Sequence, residues 1–253
     1  MNLINIGSNK YTGPANWNDI TREQLIAWIK ICAKSIGGEN ALKLAMMVFY
    51  KIPPKVFFRL NSAQQIQLID VLTFLGTGNH LVKWLIPKIK VSYMTLLGPV
   101  DRLTNSSIKE FRFSELYYNA YLVSKDPRAL DMLITTLYRP TGKQHPDNDL
   151  RIPVTEIDIQ LRAKYVSGLD PVLRGAILFN YEGCRSFIFT RYPTVFKPGG
   201  TSVSKDLPDL EGLIKTVAGG KFGPFKETET TPLYLFLDHL SDEIEQAEKI
   251  KRK

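Results

Sequence analysis

The stretch DPVLRGAILFNYEGCRSFIFTRYP, residues 170–193, decides the fold class of this chain. Asp170-Pro171 is a helix start, because an aspartate can cap the first turn and proline suits the first helical position. The residues that follow are nearly all apolar, and Pro193 ends the run because proline cannot continue a helix. The stretch therefore predicts one long buried helix.

Similar start and stop signals recur along the chain. Asp126-Pro127 repeats the start device. Three Ser or Thr residues precede Glu or Gln by three positions, the spacing of a capping box: Thr21 and Gln24, Ser62 and Gln65, Ser107 and Glu110. No Asn-Gly or Asp-Gly turn lies between alternating runs, and only residues 87–96 suggest a short strand pair. The sequence predicts an all-α fold, a multi-helix orthogonal bundle.

Shifts in composition predict three parts. Residues 1–19 are rich in Asn and Gly, which favours an extended arm that orders on binding. Residues 20–196 carry continuous helical periodicity and form the predicted helical core domain. Residues 197–253 begin with a Pro- and Gly-containing linker and are predicted to end as a helical appendage.

The short apolar runs argue against a membrane-spanning segment, and the net charge indicates a basic surface. The longest apolar run, Leu44 to Tyr50, is far shorter than the roughly 20 residues that span a bilayer. The net charge of +8 permits weak, salt-sensitive attraction to DNA or to an acidic protein. Cys32 and Cys184 are expected to be buried free thiols of a protein made in the cytoplasm.

No arrangement of side chains predicts catalysis, a cofactor or a metal ion. The three histidines are far apart, and no His-x-x-x-His or Cys-x-x-Cys pair occurs. His145, Asp147 and Asp149 could contact a hard cation, although side chains bonding to a polar loop's own backbone are favoured. The glycines of residues 218–223 lack the phosphate-loop spacing, so a helix C-cap is favoured there. The chain is therefore predicted not to be an enzyme.

Two surfaces remain as candidates for binding. Aromatic and basic residues alternate at 111–113 and 189–192, a pattern typical of platforms that stack on nucleic acid. The helical spacing of Phe111, Tyr117 and Tyr121 favours core packing instead.

The last helix, about residues 232–250, is amphipathic, and it either closes the chain's own core or docks onto another subunit. With the glycine-rich turn before it, this helix supplies the predicted interface residues: Lys221, Phe222, Leu233, Tyr234, Phe236, Leu237, Leu240 and Ile244.

Seven segments of helix ends and aromatic anchors carry a family resemblance: 97–103, 110–121, 130–133, 137–140, 180–185, 191–196 and 218–223. They resemble proteins encoded among the tail and neck genes of tailed phages and prophages of Bacteroides-type hosts, some of which resemble tail assembly chaperones. The resemblance implies a non-enzymatic virion component or assembly helper.

Its implied partners are other phage structural proteins, in a homo-oligomeric ring or a tail complex. Its implied location is the host cytoplasm during assembly, or the virion. A basic protein that contacts phage DNA is the alternative function.

Overall fold

The computed structural model describes residues 1–34, 36–142, 149–196 and 210–251. Of these described residues, 60% are helical and 10% lie in strands or bridges. The predominantly helical fold that the sequence predicts is therefore confirmed. The fold is not strictly all-α, because the described residues include two small antiparallel hairpins.

The elements follow one another in a simple order. In the described parts of the chain they are β1 (Asn2–Ile6), β2 (Asn9–Gly13), α1 (Arg22–Ala33), α2 (Gly38–Phe49), α3 (Pro54–Phe57), α4 (Ser62–Ile69), β3 (Lys88–Val91), β4 (Met94–Leu97), α5 (Ile108–Ser124), α6 (Pro127–Leu137), α7 (Glu156–Val166), α8 (Pro171–Arg191), α9 (Leu210–Val217), α10 (Phe225–Thr228) and α11 (Leu233–Lys251).

These elements belong to two compact units. The first comprises Met1–Leu85 with Asp170–Cys184, and the second comprises Ile86–Leu169 with Arg185–Lys253. This division differs from the predicted core of residues 20–196 and appendage of residues 197–253. The difference arises because contacts between distant parts of the chain, and not composition along it, define a compact unit.

The first unit begins with a hairpin where the sequence predicts an extended arm. β1 pairs antiparallel with β2, and Gly7 is the first of the two residues that connect the strands. Its φ of 59° is easy for glycine, which suits the tight turn of a two-residue hairpin. Residues 1–19 are thus mostly folded before any partner is present.

Side chains from distant positions hold this hairpin on its own unit. The Tyr50 hydroxyl donates to the carbonyl oxygen of Pro14 at 3.2 Å. A Cβ placed on Gly13 would lie 2.6 Å from atoms of the Tyr50 ring, so only glycine allows this close approach. Trp17 is buried, and its Nε1 donates to the carbonyl oxygen of Gly78 at 2.7 Å.

Helix caps in the first unit follow the predicted chemistry with one shift of position. The capping box of Thr21 with Gln24 is confirmed at the start of α1. The second box is formed by Asn61 with Gln64, one residue before the predicted pair. Asn and Ser are both good N-caps, so residue type alone does not distinguish the two positions.

In the second unit, β3 and β4 confirm the predicted strand pair, and α6 packs against both α5 and α7. The start of α11 belongs to this unit as well, since the backbone N–H of Leu233 donates to the carbonyl oxygen of Ser106 at 2.8 Å. Residues 197–209, predicted as a linker, lie outside the described residues. Within the described ranges, no helix is both long enough and apolar enough to cross a membrane.

Candidate functional site

The predicted interface residues of α11 lie mainly in the core of the second unit. Leu233, Phe236, Leu237 and Leu240 are buried. Tyr234 is half-buried and its hydroxyl donates to the carbonyl oxygen of Arg102 at 2.7 Å. The sequence left open whether α11 closes the chain's own core or docks onto another subunit. The first part of the helix closes the core.

The glycine-rich turn before α11 also packs within the unit. Gly219 has a φ of 88°, which confirms the left-handed conformation expected after a helix end. Phe222 is half-buried, with its ring centroid 6.2 Å from that of Phe236 and 5.1 Å from that of His239. Lys221 is exposed, and its Nζ lies 5.9 Å from the centre of the Phe222 ring.

The second part of α11 is less buried than the first. The apolar seam runs through Leu237 and Leu240 and continues at Ile244 and Ala247, spaced four and three residues apart, as in a coiled coil. Ile244 is half-buried and Ala247 is exposed.

The main surface feature that the sequence analysis missed is a second, exposed apolar face on α7. Ile159 and Val166 lie on the buried face of this helix. On the opposite side, Ile157, Leu161 and Tyr165 recur every four residues, with exposed fractions of 71%, 59% and 37%. Residues spaced four apart lie one above the other on a helix, so these three side chains form a continuous stripe. We call it the α7 stripe.

The backbone beneath the stripe is held firmly in place. The Thr155 hydroxyl caps α7 by accepting from the backbone N–H of Asp158 at 3.1 Å. At the other end, Lys164 is exposed and its Nζ lies 5.0 Å from the centre of the Tyr165 ring. The stripe is thus an ordered surface with a cation at its C-terminal end.

A buried cluster of charges lies elsewhere in the second unit. Arg139 Nη2 donates to Glu110 Oε2 at 2.7 Å, and Arg151 Nη1 pairs with Glu110 Oε1 at the same distance. Asp149 receives Arg151 Nε at 2.8 Å and Arg139 Nη2 at 3.3 Å. Glu110, Arg139 and Arg151 are at most 2% exposed. Two cations therefore face two carboxylates away from water.

The pKa values of the two arginines reflect this environment. Burial lowers the pKa of Arg139, although attraction to Glu110 opposes the change. Burial acts in the same direction on Arg151, but Glu110 and Asp149 together outweigh it and raise the pKa. Arginine pKa values lie so far above neutral that both side chains stay charged. The four groups form a neutral network that joins α5 to the segments after α6.

A cleft of about 530 Å³ is lined by this cluster and by neighbouring hydroxyls, including those of Thr104, Ser107, Thr155 and Thr230. Its volume suits a small polar molecule. The arginines already donate to carboxylates and to backbone carbonyls of Ile152 and Leu137. The charges of the cluster therefore join distant segments of the chain, but Arg139 Nε, which is buried, has no hydrogen-bond partner among the described residues.

The sequence offered no signal for this cluster. Its members are separated by up to 41 positions, and Glu110 was predicted only as part of a cap. The Ser107 hydroxyl does accept from the backbone N–H of Glu110 at 3.2 Å, but the Glu110 side chain turns to the arginines. Half of the predicted capping box is therefore replaced by the ionic network.

Of the three residues that could contact a cation in the polar loop, only Asp149 is described, since His145 and Asp147 lie outside the described residues. Asp149 pairs with the two arginines, as above. Among the residues that the structure describes, no group of three or more His, Cys, Asp or Glu is placed to hold a metal ion.

The two cysteines differ in their exposure. Cys184 is buried, as predicted, but the prediction for Cys32 is wrong because this residue is exposed. The reason is that α1 turns Leu25 and Ile31 inward instead. Neighbouring atoms still partly bury the sulfur of Cys32, and this burial raises the pKa of its thiol.

The mixed aromatic and basic segments make contacts within the second unit. Arg185 Nε donates to Glu115 Oε1 at 2.7 Å, and its guanidinium lies 4.0 Å from the centre of the Phe189 ring. Arg112 lies 4.6 Å from the ring centre of Phe113 and pairs with Glu211. These rings and cations stabilise the folded chain.

Comparison with known proteins yields no relative. No protein-family model, no curated protein sequence and no solved structure matches this chain.

Proposed function

We propose that this chain is a non-enzymatic structural or assembly protein of a tailed phage, acting in the tail or neck by docking onto other proteins. The observation that carries the proposal is the α7 stripe, an ordered apolar surface on a helix whose other face is already buried. The resemblance of the seven segments to tail and neck proteins supplies the biological setting. The host cytoplasm during assembly, or the virion, is the proposed location.

The physical argument concerns the cost of exposing an apolar stripe. Scattered apolar residues are normal on a protein surface, but an ordered row of large ones is a recurrent mark of interaction sites. Covering the stripe would remove its apolar area from water, at about 25 cal/mol per Å². Because α7 is already held on α6, little ordering entropy opposes docking.

The placement of residues 1–19 changes the proposed mode of docking. An arm that orders on binding would lose conformational entropy on contact. Because residues 2–13 form a hairpin that packs on Tyr50, most of this entropy is already lost when the chain folds. Docking is therefore assigned to the surface of the second unit and not to the N-terminal segment.

Contact with phage DNA, the alternative, has less support. Rings and cations that could stack on nucleic acid contact one another and nearby carboxylates, as Arg185 does with Phe189 and Glu115. Partnered groups of this kind would have to leave their present contacts to bind a base. A weak electrostatic attraction from the net charge of +8 remains part of the proposal.

Complementation of phage assembly tests the proposal. A phage that lacks the gene is supplied with the wild-type chain, with Leu161→Asp, or with Gln160→Asp as a matched control. Both variants add one carboxylate to the exposed part of α7, but only position 161 lies in the stripe.

We expect Leu161→Asp to lower particle yield at least about tenfold, the effect of roughly 1.4 kcal/mol on docking. Gln160→Asp should support nearly normal yield. Normal yield with Leu161→Asp, in a chain whose circular dichroism matches wild type, would rule out docking through the stripe.

A further inference from the structure

The cleft beside the charge cluster has a wall of mixed character. Pro153, Val154 and Pro232 line it together with the charged and hydroxyl side chains named above. Clefts of a few hundred Å³ that combine apolar walls with a few convergent polar groups are typical of small-molecule sites. The cleft therefore suits a molecule that has an apolar part and a polar group.

Two helices begin at this cleft. Ser107 caps α5 and Thr155 caps α7, and both residues line the wall. The N-terminal end of a helix carries a partial positive charge, and these helices are 17 and 11 residues long. Acidic residues in their first turns, among them Glu110 and Asp158, balance part of this charge. The helix starts favour a ligand with negative charge, but a site needs independent support.

Arg139 supplies that support. It lines the cleft and is 2% exposed, yet its Nε has no hydrogen-bond partner among the described residues. Its other two nitrogens are occupied, since Nη1 donates to the carbonyl oxygen of Ile152 and Nη2 donates to Glu110 and Asp149. A buried donor without an acceptor costs free energy, and a bound group is one of the usual reasons that a protein keeps one. Arg139 thus retains one donor for an incoming acceptor.

A third buried arginine adds positive charge near Arg139. Arg162 on α7 is 9% exposed, and its Nε and Nη2 have no hydrogen-bond partner among the described residues. Its ion pair with Asp158 is long, at 3.8 Å, and the side chain of this aspartate is 38% exposed. The charge of Arg162 also lowers the pKa of Arg139, so the two arginines lie near enough to repel each other.

The carboxylates in and around the cluster do not fully offset these cations. Lys109 pairs with Glu229, so these two charges cancel. Glu110 and Asp149 offset two of the three buried arginines. The third depends on Asp158, and a partly exposed carboxylate at that distance attracts a cation only weakly. One buried positive charge is therefore poorly offset.

We infer that this cleft binds a small organic molecule through an oxyanion, a carboxylate or a phosphate, which accepts hydrogen bonds from Arg139 and Lys109. Lys109 lines the cleft and has further N–H donors besides the one given to Glu229. The apolar part of the molecule packs against Pro153, Val154 and Pro232. The site uses none of the residues of the α7 stripe, so it is independent of the proposed docking function.

Nuclear magnetic resonance titration of the ¹⁵N-labelled full-length chain tests the site. The probes are inorganic phosphate, acetate and acetamide, which matches acetate in size but has no charge, and sodium chloride holds the ionic strength constant. Phosphate or acetate should shift the amide signals of residues 105–109 to saturation, with a dissociation constant of about 10 mM or below. Acetamide should bind at least about tenfold more weakly than acetate. The oxyanion that binds more tightly shows which of the two groups the site takes.

Two variants test the named contacts. Lys109→Gln leaves the buried arginines in place and should weaken oxyanion binding at least about threefold. Lys164→Gln is the matched control, because it removes an exposed lysine at the other end of α7 and should leave binding unchanged. Arg139→Lys keeps the charge but removes the Nε–H, and it should weaken binding further. If circular dichroism shows that Arg139→Lys is unfolded, Lys109→Gln decides alone.

Three results would overturn the inference. The first is a titration in which neither phosphate nor acetate saturates a shift by about 100 mM. The second is acetamide that binds as tightly as acetate, since charge would then contribute nothing. The third is Lys109→Gln binding as wild type does, or no more weakly than Lys164→Gln. Each would leave the docking function standing, because particle yield with Leu161→Asp tests that function separately.

Discussion

Replacing Glu110 with glutamine should strongly destabilise the folded chain. The side chain keeps its size but loses the charge that lies between Arg139 and Arg151, each paired with it at 2.7 Å. Asp149 alone would then face two buried cations. The change therefore creates an uncompensated buried charge, which is among the more destabilising effects that one substitution can have.

The magnitude follows from the burial of the cluster. Two unit charges about 4 Å apart interact by about 4 kcal/mol at an effective dielectric constant of about 20. Glu110 makes two such contacts, but part of this attraction only offsets the cost of removing the ions from water. Breaking a buried pair typically costs about 3–5 kcal/mol, and we expect Glu110→Gln to fall in this range.

Urea denaturation followed by far-ultraviolet circular dichroism measures the effect. Glu245→Gln is the matched control, because Glu245 is exposed on α11. It should change the free energy of unfolding by at most about 0.5 kcal/mol. A loss of less than about 1 kcal/mol for Glu110→Gln would refute the reasoning, since it would mean that the arginines do not depend on this carboxylate.

Two further predictions concern titration and accessibility. Burial and the hydrogen bond to Asp238 raise the pKa of Tyr192 above its ordinary value. Below about pH 10 the Tyr192 hydroxyl is protonated in both the folded and the unfolded chain, and its full contribution to stability is present. Above this pH the hydroxyl ionises more readily in the unfolded chain, and the contribution is lost. The difference in unfolding free energy between wild type and Tyr192→Phe should be constant from about pH 7 to 9 and shrink above about pH 10. A constant difference throughout would contradict the hydrogen bond to Asp238. In thiol alkylation of the native chain followed by mass spectrometry, Cys32 should react and Cys184 should react only after denaturation. Equal rates would show that Cys184 is accessible.

Local chemistry explains most of what the sequence predicted correctly. The cap of Thr21 by Gln24 and the start at Asp126-Pro127 depend on groups a few residues apart, so the sequence contains all the information needed. The alternation of Ile89, Val91 and Tyr93 likewise indicated the hairpin of β3 and β4, although only Ile89 and Val91 are buried and Tyr93 lies exposed in the turn. These features depend mainly on residues that are neighbours in the sequence.

Contacts between distant residues explain what the sequence did not predict. The N-terminal hairpin is held by the Tyr50 side chain, at a distance of 36 positions from Pro14. The charge cluster joins Glu110 to Arg151 across 41 positions. The α7 stripe was missed for another reason: both faces of α7 are apolar, so periodicity alone could not identify which face is buried.

Quantitative mass spectrometry of purified phage particles, alongside the infected-cell lysate, tests the central claim most directly. The account predicts that the chain is present in the particle at a fixed, ring-like copy number, or is held in the lysate in a stoichiometric complex with another tail protein. The first result would identify a structural component and the second an assembly chaperone. A chain that is absent from the particle and free of any tail protein in the lysate would contradict the claim that it works by docking in the tail or neck.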